Sequence, residues 1–157
     1  YSGLPLILKG IANGGDAKLA VEHGVDVIWV SNHGGRQLDH GLGTMDFLEE
    51  VVNAVEDKAE IVLDGGIQRG SDVIKALALG ANAVAIGKLQ GWGLAADGKS
   101  GLIRTLEILE AEIKIAMGLL GITSFEQLST SYVCKADAVN LPNEMSSWPH
   151  IPGGQIL

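Results

Sequence analysis

His33 and Arg36 stand three positions apart in the stretch IWVSNHGGRQLD, residues 28–39, where an apolar run gives way to glycines. An imidazole that is neutral near pH 7 can accept a proton. A guanidinium presents a planar fork that grips a carboxylate through two hydrogen bonds. Together they fit a substrate that carries an acid group and gives up a proton. An isolated His and Arg would read as a loop residue and a solvated charge, and it is their place just past an apolar segment that raises them above that reading. Lys9 closes a second apolar run, Leu6, Ile7 and Leu8. An ammonium there is costly unless it meets an anion or polarised acceptor, which a bound cofactor can supply, or snorkels to water.

Two glycine loops complete the set. DGGIQRG, residues 64–70, and IGK, residues 86–88, let backbone approach a ligand, and N–H groups at the following helix start can hold phosphate. A DGG turn alone is equally a tight connection. Pairing it with the second loop fits the phosphate site that many barrels build after their seventh and eighth strands.

The elements that must position these residues follow from the apolar pattern. Four short runs, LPLILKG (4–10), VDVIWVSNHGG (25–35), EIVLDGG (60–66) and NAVAIGK (82–88), read as strands, and each ends in glycine or polar residues. Helices are expected over Asp16 to His23, over the segment where Leu48, Val51, Val52 and Val55 recur at helical spacing, and over 72–79. A fourth, over about residues 101–120, would carry Leu102, Leu106, Leu109, Ile113, Met117 and Leu120 on one side. Gly24 and Gly80 supply stop signals. Strand alternating with helix, with continuously apolar strands, implies an α/β fold with a parallel sheet.

Segments 9–30 and 65–86 align without gaps, matching Gly10 with Gly66, Gly14 with Gly70, Asp16 with Asp72 and Gly24 with Gly80. A duplicated pair of βα units suits a (β/α)8 TIM-type barrel better than an open doubly wound sheet. Only four units are present, so residues 1–134 are expected to be half of a barrel, with an irregular, proline-containing tail over 135–157. The open half would expose apolar strand edges and helix faces. That predicts pairing with a missing half or homo-oligomerisation.

Composition narrows the classes. With 46% hydrophobic and 19% charged residues, the 157-residue chain can bury a core. A net charge of −8 and scattered basic residues disfavour nucleic acid as partner. No segment is long and apolar enough to span a membrane, and no paired Cys/His spacing points to a metal. His23, His40 and His150 read as helix-end, loop and surface residues. The single Cys134 forms no internal disulfide, a mild lean to a cytoplasmic location. The chain starts at Tyr1, not Met, and is expected to be a fragment.

Taken together, LPLILKG, VSNHGGRQLD, DGGIQRGSDVIKALALGA and AIGK resemble the C-terminal half of the FMN-dependent α-hydroxy acid oxidases and dehydrogenases, the family of glycolate oxidase, lactate oxidase and mandelate dehydrogenase. The resemblance spans residues 1 to about 130. It implies that a small 2-hydroxy acid is oxidised to a 2-oxo acid, with FMN as cofactor. By the same resemblance, His33 is the base, Arg36 holds the substrate carboxylate, and Lys9 stabilises charge at the flavin N1 and C2 carbonyl. Ser31 also contacts flavin. Asp64 and Gly66 meet the ribityl chain and phosphate, and Gln68, Gly87 and Lys88 complete the phosphate cradle. The family carries arginine where this chain has Gln68 and Lys88, which weakens the cationic grip, and Arg69 or Lys88 is the candidate to compensate. Hydride and carbanion mechanisms ask for the same His and Arg. Rival readings are a catalytically silent half-barrel that binds flavin or phosphate or serves assembly, and another phosphate-binding barrel such as an isomerase.

Overall fold

A computed structural model describes residues 3–135. Four parallel strands, β1 (Ile7–Ile11), β2 (Val27–Val30), β3 (Glu60–Asp64) and β4 (Ala83–Ala85), lie side by side in chain order. Helices α1 (Gly14–Glu22), α2 (Thr44–Val55) and α3 (Gly70–Ala78) alternate with them, and α4 (Lys88–Leu120) follows β4. Right-handed crossovers between sequential parallel strands put every helix on one face of the sheet. The core lies between, where Ile28, Val30 and Leu63 of the strands meet Leu48, Val51 and Val55 of α2, all fully buried. Each such side chain contributes about 1.5–3 kcal/mol relative to exposure. The strand order never reverses, as in a segment of a (β/α)8 barrel and unlike a doubly wound sheet.

Period-two alternation assigns the other face. Ile28 and Val30 point to the helices, so Trp29 and Ser31 point away. Register places Lys9 beside Trp29, and Trp29 beside Val62, with Asp64 two residues further on the same side. The irregularity in β1 between Lys9 and Ile11 ends the regular pairing just past the lysine.

The internal repeat has a packing cause. Gly14 and Gly70, its matched glycines, start α1 and α3, and each abuts the next helix. A Cβ on Gly14 would meet Glu50 and Ala54 of α2 at 3.1 Å, and one on Gly70 would meet the Ile113 nitrogen of α4 at 2.5 Å. Each glycine amide donates to a glutamate of that helix, Gly14 to Glu50 Oε1 at 2.7 Å and Gly70 to Glu112 Oε2 at 2.7 Å. Helix pairs α1/α2 and α3/α4 are thereby locked in the same way.

The expected elements are present, with one addition. A helical arm beginning at Lys88 precedes the expected last helix, and the two are separated at Asp97 and Gly98, whose backbone is not helical. Gly93 and Gly101 let the two helical arms touch, since a Cβ on Gly101 would lie 2.0 Å from the Gly93 oxygen. Glycine density in GWGLAADGKSG hides this hairpin from propensity, which penalises each glycine by about 1 kcal/mol. Leu109 is buried as expected, whereas Leu106 is half-exposed. Apolar residues stand exposed along β1 and its approach (Leu4, Leu6, Ile7, Leu8) and on α4 (Ile115, Leu119), as an open α/β segment requires. The proline-containing tail from Ala136 onward, with His150, lies outside the described residues. No helix among the described residues is long and apolar enough to cross a membrane.

One pH dependence follows from the α3/α4 contact. The Arg69 guanidinium, and after it the Gly70 amide, hold the Glu112 carboxyl below the ordinary glutamate range. A carboxyl depressed in the folded state adds stability that is complete above its unfolded pKa and fades as pH falls through the folded value. Denaturant unfolding followed by circular dichroism should therefore find Glu112→Gln less stable than the parent above the ordinary glutamate range, with the gap closing as pH falls below that range; a gap that does not change with pH would count against the pair.

Candidate active site

The C-terminal ends of the strands build one polar cluster. The Lys9 ammonium donates to Ser31 Oγ at 2.7 Å and lies 3.0 Å from Asp64 Oδ2, 5.5 Å from the Trp29 ring centroid. Ser31 Oγ donates to Asp64 Oδ1 at 2.6 Å, and the Trp29 indole N–H donates to Asp64 Oδ2 at 3.1 Å. Asp64 thus receives three donors from two other strands. The anion that an ammonium at this strand end requires is supplied by the chain itself, through a side chain 16% exposed. Charge-assisted bonds of this kind are roughly twice as strong as neutral ones.

From β2 the chain turns through a short 3-10 segment, His33–Gly35. His33 adopts φ +57°, a left-handed conformation that costs a non-glycine residue about 1–3 kcal/mol. Its amide donates to Ser31 Oγ at 3.1 Å, and its Nδ1 lies 3.0 Å from Gln37 Nε2, so the cluster below and the loop itself hold the ring in place. Lys88, at the start of α4, donates to the Gly34 oxygen at 2.8 Å and ties β4 to this loop. Among the described residues no carboxylate pairs with Arg36, which is exposed.

These residues line a cavity of about 820 Å³, within the 300–1,000 Å³ typical of small-molecule sites. Of the residues singled out from sequence, Lys9, His33, Arg36, Asp64, Gly66, Gln68, Gly87 and Lys88 all border it. Three cations and one carboxylate therefore face this space in a chain of net charge −8, a concentration of positive potential suited to an anionic ligand.

Two singled-out residues lie elsewhere. Ser31 is buried beneath the cavity, 3% exposed, where it bridges Lys9 and Asp64. Arg69 pairs with Glu112, with Nε at 2.8 Å and Nη2 at 2.8 Å, and does not border the cavity. At the α3 N-terminus three amides are engaged within the chain. The amides of Gln68 and Arg69 donate to Asp72 Oδ2, and that of Gly70 donates to Glu112. Asp72 caps its two amides from within the same turn, whereas Glu112 reaches Gly70 from α4.

Structure adds residues that the sequence reading missed. Trp29 was legible only as strand filling, although its alternation with Ser31 was a signal. Thr44 and Asn32 wall the cavity beside Gly65, whose φ is +93° and where a Cβ would meet Thr44 Oγ1 at 3.0 Å and Asn32 Oδ1 at 3.2 Å. Thr44 Oγ1 donates to the Gly65 oxygen at 3.1 Å, fixing this turn. Asn32 Oδ1 is a buried acceptor without a partner among the described residues, at the edge of the same cavity. An unsatisfied acceptor, a side-chain-free glycine floor and a net positive rim fit a large ligand that brings both N–H donors and an anionic group, which flavin mononucleotide does.

Comparison with known proteins agrees. Residues 1–135 match the model of the family described as FMN-dependent dehydrogenase. The chain is 52% identical over 132 residues to an L-lactate oxidase of Nostoc sp., covering 84% of this chain and 36% of that protein. It is 49% identical over 134 residues to 2-hydroxyacid oxidase 1 of Homo sapiens, covering 85% and 36%. A mandelate oxidase solved with 3,3-difluoro-2-hydroxy-3-phenylpropionic acid superposes with a TM-score of 0.79 at 46% identity, over 82% of this chain and 39% of the other. The chain thus spans about a third of the length of the relatives it matches. Within that span, it belongs to the FMN-dependent dehydrogenase family.

Proposed function

We propose that this chain is the C-terminal half, the last four βα units, of a (β/α)8 barrel that oxidises a small 2-hydroxy acid to a 2-oxo acid with FMN. The observation that carries the reading is the convergence of Lys9, His33 and Arg36 on one cavity at the strand ends. Sequential strand order and the apolar exposure along β1 and α4 support a barrel completed by further polypeptide. Relatives named for lactate and 2-hydroxy acid oxidation support the reaction class.

FMN, when bound, supplies the acceptor for two electrons. This chain supplies the groups that follow. Arg36 holds the substrate carboxylate in its planar fork, which sets the carbon bearing the hydroxyl in a fixed orientation. His33 accepts a proton at a ring nitrogen, and for Nε2 to be that atom Nδ1 must carry the ring proton and donate it to the side-chain oxygen of Gln37, whose amide lies 3.0 Å away. The substrate loses two electrons and two protons in all and becomes the 2-oxo acid. Lys9, held by Asp64 and Ser31, would present a fixed positive charge to the bound flavin, at no cost of reorganisation. Gly66, Gln68, Gly87 and Lys88 would hold the phosphate end. Gln68 contributes a neutral donor, and Lys88 a point charge already shared with the Gly34 oxygen.

Two outcomes test the reading in the complete polypeptide. His33→Gln should retain the yellow colour of bound flavin yet lower the rate of anaerobic bleaching by 2-hydroxy acid about 10²–10⁴-fold. Stopped-flow absorbance reads this directly, and an unchanged rate would remove His33 as base. Arg36→Lys should mainly raise the substrate concentration needed for half-maximal bleaching, by about tenfold or more, because one ammonium does not reproduce the bidentate fork. Flavin that no 2-hydroxy acid bleaches would favour a silent binding module.

A further inference from the structure

The loop Gly65–Arg69 is pinned at both ends, and both pins come from outside it. At the strand end, Thr44 Oγ1 holds the Gly65 oxygen. At the helix end, one carboxylate on a distant segment receives three bonds: Gly70 N at 2.7 Å, Arg69 Nε at 2.8 Å and Arg69 Nη2 at 2.8 Å, all to Glu112. Glu112 is largely buried in this contact, 24% exposed against 70% for Arg69. The Gly70 backbone lies so close to α4 that a Cβ would stand 2.5 Å from Ile113 N. The loop has little freedom to slide along the helix. Gly66 and Gln68, between the two pins, border the cavity, whereas Glu112 and Arg69 do not.

We infer that Glu112 is a positioning residue for the phosphate end of the cofactor site, setting the distance of Gly66 and Gln68 from the ligand through Gly70 and Arg69. The inference rests on the FMN reading above and extends it to a residue outside the cavity. Its chemistry is specific. Arg69 neutralises Glu112, so a carboxylate stands behind an anion site without repelling it. The matched position in the repeat isolates the role: Glu50 receives the Gly14 amide alone, with Asn13 where α3 has Arg69. The guanidinium clamp belongs only to the loop that borders the glycine floor.

The test compares FMN with riboflavin, which lacks the phosphate, on the flavin-stripped complete polypeptide by fluorescence quenching. The parent should prefer FMN. Glu112→Ala should cut that preference about tenfold, the effect of one lost charge-assisted hydrogen bond, while riboflavin affinity stays within about twofold. Glu112→Gln keeps an acceptor for Gly70 and should lose about threefold, a partial rescue that also decides the matter if the alanine variant does not fold. Equal loss for FMN and riboflavin would assign Glu112 to general stability and overturn the inference, as would an unchanged preference in both variants. A parent that binds riboflavin as tightly as FMN would overturn the phosphate site itself, and a parent that binds neither would overturn the FMN reading along with it.

Discussion

An ammonium at the end of an apolar strand has to find an anion, and in this fold it finds one two strands away. The bond from Lys9 to Asp64, with Ser31 and Trp29 as further partners of the carboxylate, joins β1, β2 and β3 at the rim where the sheet opens. The His33 loop hangs from the same node through Ser31 Oγ, and Lys88 ties that loop to β4. All four strand ends are therefore connected by charge-assisted or carbonyl hydrogen bonds. A pair that is partly buried and has its remaining oxygen satisfied holds its geometry far better than an exposed surface pair, whose worth is about 0–1 kcal/mol.

The sheet can offer this node because its two faces are divided by alternation. Helices cover Ile28, Val30, Ile61 and Leu63, and the opposite positions carry Trp29 and Asp64. The glutamate bonds from α2 and α4 to Gly14 and Gly70 then fix where each loop leaves its strand. Function at the rim thus depends on packing at the back: moving a helix start would move the loop that borders the cavity. Apolar residues of β1 and α4 stand exposed in the same segment.

Much of this was legible in the sequence, and the parts that were not share a cause. Strands, three helices and the strand-end position of Lys9, His33, Arg36 and Asp64 follow from local periodicity, which depends on neighbours a few residues apart. The partners did not follow. Arg69 reads as a phosphate ligand from DGGIQRG alone, yet Glu112, forty-three positions on, captures it. Ser31 reads as a ligand contact, yet it lies under the cavity because Lys9 and Asp64 both claim its hydroxyl. The break at Asp97 and Gly98 was hidden because close helix contact at Gly93 and Gly101 overrides poor propensity. Tertiary hydrogen bonds and close approaches are the information that no short window contains.

The claim at the centre is that Asp64 acts on the cofactor site through Lys9. A double-mutant cycle on FMN affinity, with Lys9→Met, Asp64→Asn and the two combined in the complete polypeptide, tests it most directly. The account predicts strong coupling, so that the double variant binds FMN no more weakly than Lys9→Met alone. Losses that simply add would contradict it, because they would mean that the two side chains serve the site independently.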